Sequence, residues 1–181
     1  MPSVAPFTQT WTDGVSSSSE MNNYVRDPLN FLLRPPMAEL RQIVAQTLTT
    51  GVAAALTFTA SDVDQDYLGG TGHSNSVNTS RYTANFSGWY QVSGQASYVA
   101  NATGRRGALW AVNGTPIASG QLIGPATAAS DIEFGARVKF VYLNAGDYAE
   151  LLGFQESGGN LATIVSFNTV LSGASIRWVS N

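Results

Sequence analysis

Residues Ile132 to Leu143 alternate more strictly than any other stretch of this chain. Ile132, Phe134, Ala136, Val138, Phe140 and Tyr142 share one parity, and Glu133, Gly135, Arg137 and Lys139 the other. A period of two sustained this long has no helical reading. It describes a half-buried antiparallel strand, with one face on an apolar surface and one in water. A strand cannot satisfy its own backbone donors and acceptors, so it needs neighbours. They are readily found. Val52–Thr59, Arg81–Phe86, Trp89–Val99, Tyr148–Phe154, Leu161–Phe167 and Ala174–Val179 all read as strands. Turn sequences separate them: Asn113-Gly114, Asn144-Ala145-Gly146-Asp147 and Ser157-Gly158-Gly159-Asn160. About eight to ten short strands at this spacing imply an antiparallel β-sandwich or jelly roll. Arg177-Trp178-Val179 should pair inside a sheet, which leaves the N-terminal segment as the part that projects.

That segment follows other rules. Met1 to Trp11 mixes Pro, Thr and Ser with Val4 and Phe7 and reads as an extended arm; Thr12-Asp13-Gly14 is turn chemistry. After Ser16 to Ser19, the apolar residues Met21, Tyr24, Val25, Leu29, Leu32 and Leu33 fall on one side of a helix. One of the serines can cap its first turn, with Glu20 near the positive end. Pro28 either kinks the helix or restarts it with Asp27 as cap, and Pro35-Pro36 stops it. A short amphipathic helix is marginal alone, so this one is expected to anchor the chain by docking. The expected division is an arm and helix over 1–36 and a β domain over 37–181.

Composition removes several function classes. Charged residues make up 12% of the chain, against roughly 25% in an average domain. There is no Cys, which excludes disulfides, thiolate metal sites and Cys nucleophiles. A net charge of −3 gives no electrostatic case for nucleic acid or an anionic membrane. No apolar run approaches the roughly 18 residues of a membrane span. Met1 to Asp13 lacks the basic start and apolar stretch of a signal peptide, so export is not expected.

Residues with possible chemistry are few. Asp62, Asp64 and Asp66 have the alternate spacing of a Ca²⁺ loop, but Tyr67 and His73 stand where an EF-hand needs Gly and Glu, so a solvated turn is the better reading. His73, the one histidine, has no Gly-x-Ser-x-Gly elbow to serve and no Cys with which to share zinc. The glutamates are scattered rather than paired. Arg105 and Arg106 form the densest basic spot, either a solvated hairpin tip or a contact for an acidic neighbour. Asn78, Asn85, Asn101 and Asn113 head glycosylation triplets that fit Asn- and Thr-rich β structure as well. No enzyme, cofactor or metal is expected.

Ser80-Arg81-Tyr82-Thr83 with Gly88-Trp89-Tyr90-Gln91-Val92-Ser93-Gly94 resembles the core of phage proteins with a TNF-like or complement-type jelly roll. Asn101 to Arg106, Val112 to Thr115, Leu143 to Asp147 and Ser175 to Val179 follow in the family's order. The leader, Trp11 to Gly14 with Met21 to Asp27, is similar to the start of small virion proteins of tailed phages. The resemblance implies a ten-stranded jelly roll and a tight homotrimer. It also implies a structural role on the virion surface, after synthesis in the host cytoplasm. The partner would be the major capsid protein or another virion protein, with the chain acting as capsid decoration or head fibre. The alternative is a minor tail or tail-fibre protein whose jelly roll binds a receptor or host glycan. Apolar surface beyond what a sandwich interior needs makes Trp89, Tyr90, Tyr98, Phe140 and Tyr142 candidates for the trimer interface, although any of them can instead fill the core.

Overall fold

Beyond Pro36 the chain is built almost wholly of strands and turns. The computed structural model describes residues 17–127, 131–166 and 170–181, so the expected arm, Met1 to Trp11, and Phe167 lie outside the described residues. The strands are β1 (Met37–Arg41), β2 (Thr47–Leu48), β3 (Ala54–Ala55), β4 (Ala60–Gln65), β5 (Arg81–Thr83), β6 (Gly88–Tyr98) and β7 (Arg105–Val112). They continue as β8 (Thr115–Pro125), β9 (Ile132–Leu143), β10 (Tyr148–Gln155), β11 (Leu161–Ala162), β12 (Val165–Ser166), β13 (Val170–Leu171) and β14 (Gly173–Ser180).

Two larger sheets carry the fold. One has the order β4-β1-β14-β6-β9; the other has the order β3-β10-β7-β8, with β5 also on β10. Every pairing between these strands is antiparallel. After β6 the chain crosses to β7 and β8, returns for β9, crosses again for β10 and comes back for β14. That interleaving makes the sandwich a jelly roll. β14 runs between β1 and β6, the internal position expected of it.

Tyr90, Val92, Tyr98, Trp110, Leu143, Leu151 and Ile176 fill the space between the sheets. β7 escaped sequence reading because its run Ala108 to Ala111 is buried on both faces, which erases the period of two. The Asn113-Gly114 turn that joins it to β8 was legible, and both residues take the positive φ such a turn needs. Two expected strands are shorter. Within Val52–Thr59 only Ala54–Ala55 pairs, and Leu161–Phe167 begins as two short pieces.

The helical segment has three parts: α1 (Ser18–Met21), a π turn (Asn22–Arg26) and α2 (Asp27–Leu33). Ser17 caps α1. Its hydroxyl accepts from Glu20 N at 3.2 Å, and the Glu20 carboxylate accepts from Ser17 N at 2.7 Å. The π turn closes where Asp27 N donates to Asn22 O, immediately before Pro28, which has no N–H to continue the ladder. Asp27 is therefore the first residue of α2 rather than its cap.

Candidate protein interface

The outer face of the five-stranded sheet takes its character from the β6–β9 pair. Trp89 lies opposite Tyr142, Gln91 opposite Phe140, Val92 opposite Lys139 and Gly94 opposite Ala136. One residue, Ser93, separates Val92 from Gly94, whereas two, Arg137 and Val138, separate Ala136 from Lys139. The extra residue is a β-bulge, and it shifts which parity points inward. Before the bulge Ala136 is buried; after it Val141 and Leu143 are buried while Val138, Phe140 and Tyr142 are exposed. The unbroken alternation in the sequence thus spans a break in the strand. The expectation that one parity faces one way throughout is corrected at this point.

The result is an apolar band on the outside of the sheet. Trp89 is 42% exposed, Val138 56%, Phe140 58% and Tyr142 48%. The Trp89 and Tyr142 rings meet edge to face, with centroids 5.6 Å apart. Three of the five interface candidates, Trp89, Phe140 and Tyr142, are therefore neighbours on one surface.

The other two are not on it. Tyr90 and Tyr98 are fully buried between the sheets. Tyr90 OH donates to Phe86 O at 2.7 Å; Tyr98 OH donates to Gly107 O at 2.6 Å and accepts from Phe154 N at 2.8 Å. Burial pushes both phenols well above their ordinary value. Inward parity on β6, with an internal partner for each hydroxyl, removes both from the interface candidates.

Beside the band lies an open groove of about 500 Å³ across β1, β14, β6 and β9. Ala136 and Val138 line one side, Ser93 and Gln95 the middle, and Glu39, Arg41 and Asp62 the far rim. Arg41 pairs with Asp62 at 2.7 Å, and the Ser175 hydroxyl donates to Glu39. The face thus passes from aromatic to polar, the mixture found at protein interfaces.

The helix offers a second apolar surface. Met21, Tyr24, Leu29, Leu32 and Leu33 are exposed, and Val25 is part-covered. Phe31 fastens the helix to the jelly roll: it is buried, with its ring against Tyr67, Phe86 and Trp178 at 5.2, 5.4 and 4.6 Å. The sequence reading passed over Phe31, whose signal was its place seven residues after Tyr24, two turns along an ideal helix.

The acidic residues do not converge. Asp62 sits on the outer face with Arg41. Asp64 accepts from Gly72 N and His73 N, at 2.8 and 3.0 Å. Asp66 accepts from Leu68 N, Gly70 N and the Asn85 side chain. The last two carboxylates thus organise a loop through main-chain N–H groups. Burial raises the Asp64 pKa, opposed by those two N–H bonds. Among the described residues, no three His, Asp or Glu side chains are grouped to hold a metal. The two arginines also part company. Arg105 forms a forked pair with Glu156 at 2.7 and 2.9 Å, and Arg106 turns inward onto the carbonyls of Thr103 and Arg105. The Asn85 and Asn113 amides bond Asp66 and Asp147, holding turns.

No known protein family matches this sequence, and no curated protein does. Solved structures do match in fold. Murine APRIL at pH 5.0 aligns with a TM-score of 0.55 and 10% identity, over 77% of this chain and 97% of that one. Eiger TNF from S. frugiperda aligns with a TM-score of 0.56 and 9% identity, over 81% and 93%. The globular domain of zebrafish complement 1qA protein aligns with a TM-score of 0.52 and 13% identity, over 81% and 98%. The architecture is a jelly roll of the TNF and complement kind.

Proposed function

We propose that this chain is a non-catalytic, self-associating structural protein. It forms a homotrimer across the outer face of the five-stranded sheet and attaches through its N-terminal segment, up to about Pro36, to a phage particle. The observation that carries the reading is the bare aromatic band. Trp89, Val138, Phe140 and Tyr142 adjoin on one face and remain about half exposed in the single chain. Contiguous apolar surface of this kind, rimmed by polar groups, is what partner-binding faces look like. Three-fold symmetry and the virion setting rest on the motif resemblance described above, and the jelly-roll fold is compatible with both. The exposed helix stripe, Met21, Leu29, Leu32 and Leu33, supplies the contact to the major capsid protein or another virion protein.

Two measurements test this. Light scattering on the purified chain should give three times the chain mass, and a monomer at micromolar concentration would refute the trimer. A chain with Leu29, Leu32 and Leu33 each changed to Ser, which keeps Phe31 in place, should remain trimeric yet no longer bind purified particles. Binding by that variant would move the anchor elsewhere. Heads and tails separated from particles distinguish the head position from a tail position: recovery of the protein from tails alone would replace decoration with a tail or tail-fibre role.

A further inference from the structure

His73 is nearly buried in the connection between β4 and β5, and both of its ring nitrogens face main-chain carbonyls. Nδ1 is 2.8 Å from Arg81 O and Nε2 is 3.1 Å from Phe58 O. A neutral imidazole carries one N–H and can satisfy one of these acceptors; the other then faces a ring lone pair. The imidazolium donates to both. Histidine is also the side chain whose ordinary charge change falls between pH 5 and 8.

The surroundings bear on the charged form. From β4, Asp64 accepts the main-chain N–H groups of Gly72 and His73. Asp66, two residues on, is closed around by Leu68 N, Gly70 N and Asn85. β5 brings Arg81, whose guanidinium pairs with Glu150 of β10 and lies over the Tyr148 ring. It also brings Tyr82, kept neutral by burial and adjoining Tyr90 of β6. The stretch around Phe58, from Leu56 to Thr59, carries no titratable side chain.

Besides the ring, two side-chain bonds and several main-chain bonds tie this region together: the Asn75 amide donates to the Ser61 hydroxyl at 3.3 Å and the Ser80 hydroxyl to Glu150 at 2.7 Å. Phe58 N donates to Thr79 O, Arg81 N to Asn78 O and Thr83 N to Gly72 O. Between these bonds the chain from Ser74 to Ser80 borders an open concavity of about 290 Å³, lined by His73, Ser74, Val77, Asn78 and Arg81. We propose that His73 is a proton-operated staple. Charged, it fastens Phe58 to Arg81 and steadies the Ser74–Ser80 segment; neutral, it frees one carbonyl and lets that segment loosen, widening the concavity beside Arg81.

Hydrogen exchange of the full chain, read by NMR at about pH 5.5 and about pH 8 and corrected for intrinsic chemistry, tests it. The amides of Phe58, Arg81 and Thr83 should lose protection about tenfold at the higher pH, the factor one buried hydrogen bond is worth, while those of β6 keep theirs. Both ring N–H groups should be visible at the lower pH and one at the higher. Equal protection at both values, or a single ring N–H at the lower pH, overturns the staple. His73→Gln should hold the segment in its high-pH state at both values, and a variant that keeps the pH dependence also overturns it. Should that variant not fold, the ring and amide signals of the unaltered chain decide the question.

Discussion

On the sheet containing β3, β10, β7 and β8, the alternate positions Leu109, Ala111 and Leu152 are nearly free of solvent. They pack with Ala53, Ala55 and Phe154 into a small cluster apart from the main core. On the five-stranded sheet, outward positions of the β6–β9 pair carry large aromatic side chains, and Trp89, Phe140 and Tyr142 stay about half exposed. One sheet finishes its apolar surface with its own chain; the other leaves it unfinished. Since exposed aromatic surface works against solubility, the difference is what favours this face for the proposed association.

A pair of charge insertions tests the contrast most severely. Leu152→Glu places a carboxylate in the covered cluster and should cost at least about 3 kcal/mol, so most of the protein should be unfolded or aggregated. Phe140→Glu on the bare band should leave thermal unfolding of the isolated chain within about 0.5 kcal/mol while abolishing self-association in light scattering. Equal damage from both would erase the distinction between the sheets. The helix sharpens the same point. Phe31→Ala should cost about 3–5 kcal/mol in denaturant unfolding, because a buried ring leaves a cavity among Tyr67, Phe86 and Trp178. Leu33→Ala, on the exposed stripe, should change stability by less than about 0.5 kcal/mol and instead weaken binding to particles.

The smallest expected effect is in the turn between β9 and β10. Asp147 accepts from the Asn113 side chain and from the main and side chains of Asn144, and these bonds hold its pKa below the ordinary value. A carboxyl depressed in the folded state stabilises above the unfolded value, about 3.9, and loses that contribution as pH falls through the folded one. Asp147→Asn should therefore lower stability slightly near neutrality, where the carboxylate contributes, and match the unaltered chain at acid pH where the carboxyl is protonated, so that the acid limb flattens. An unchanged limb would show that the turn does not depend on the charge.

These contrasts also explain what was legible from residues alone. Strands with one wet face, such as β6 and β9, announce themselves by period, and the Ser17 cap and the Asn113-Gly114 hairpin by local chemistry. β7 does not, because burial on both faces leaves no alternation to detect. The bulge at Arg137 and Val138 was hidden more thoroughly. It depends on how β9 registers with β6, and the local sequence on either side continues the pattern as though nothing intervened. Placing Tyr90 in the core and Trp89 outside needed only the strand's parity and a known inner face. Phe31 needed the tertiary contact itself.

The place of β14 between β1 and β6 has a consequence for how the molecule comes into being. During synthesis β1 and β6 emerge early, yet neither can complete its hydrogen bonding until the ribosome has passed Ser180. Until then the nascent chain holds two unpaired edges and the aromatic residues of β6, a state prone to sticking to its siblings. Closure couples strands that are far apart in the chain, which makes it slow. Completion of this sheet therefore rests on β14: any product cut short before Gly173 retains β1, β6 and β9 and lacks the strand that unites β1 with β6.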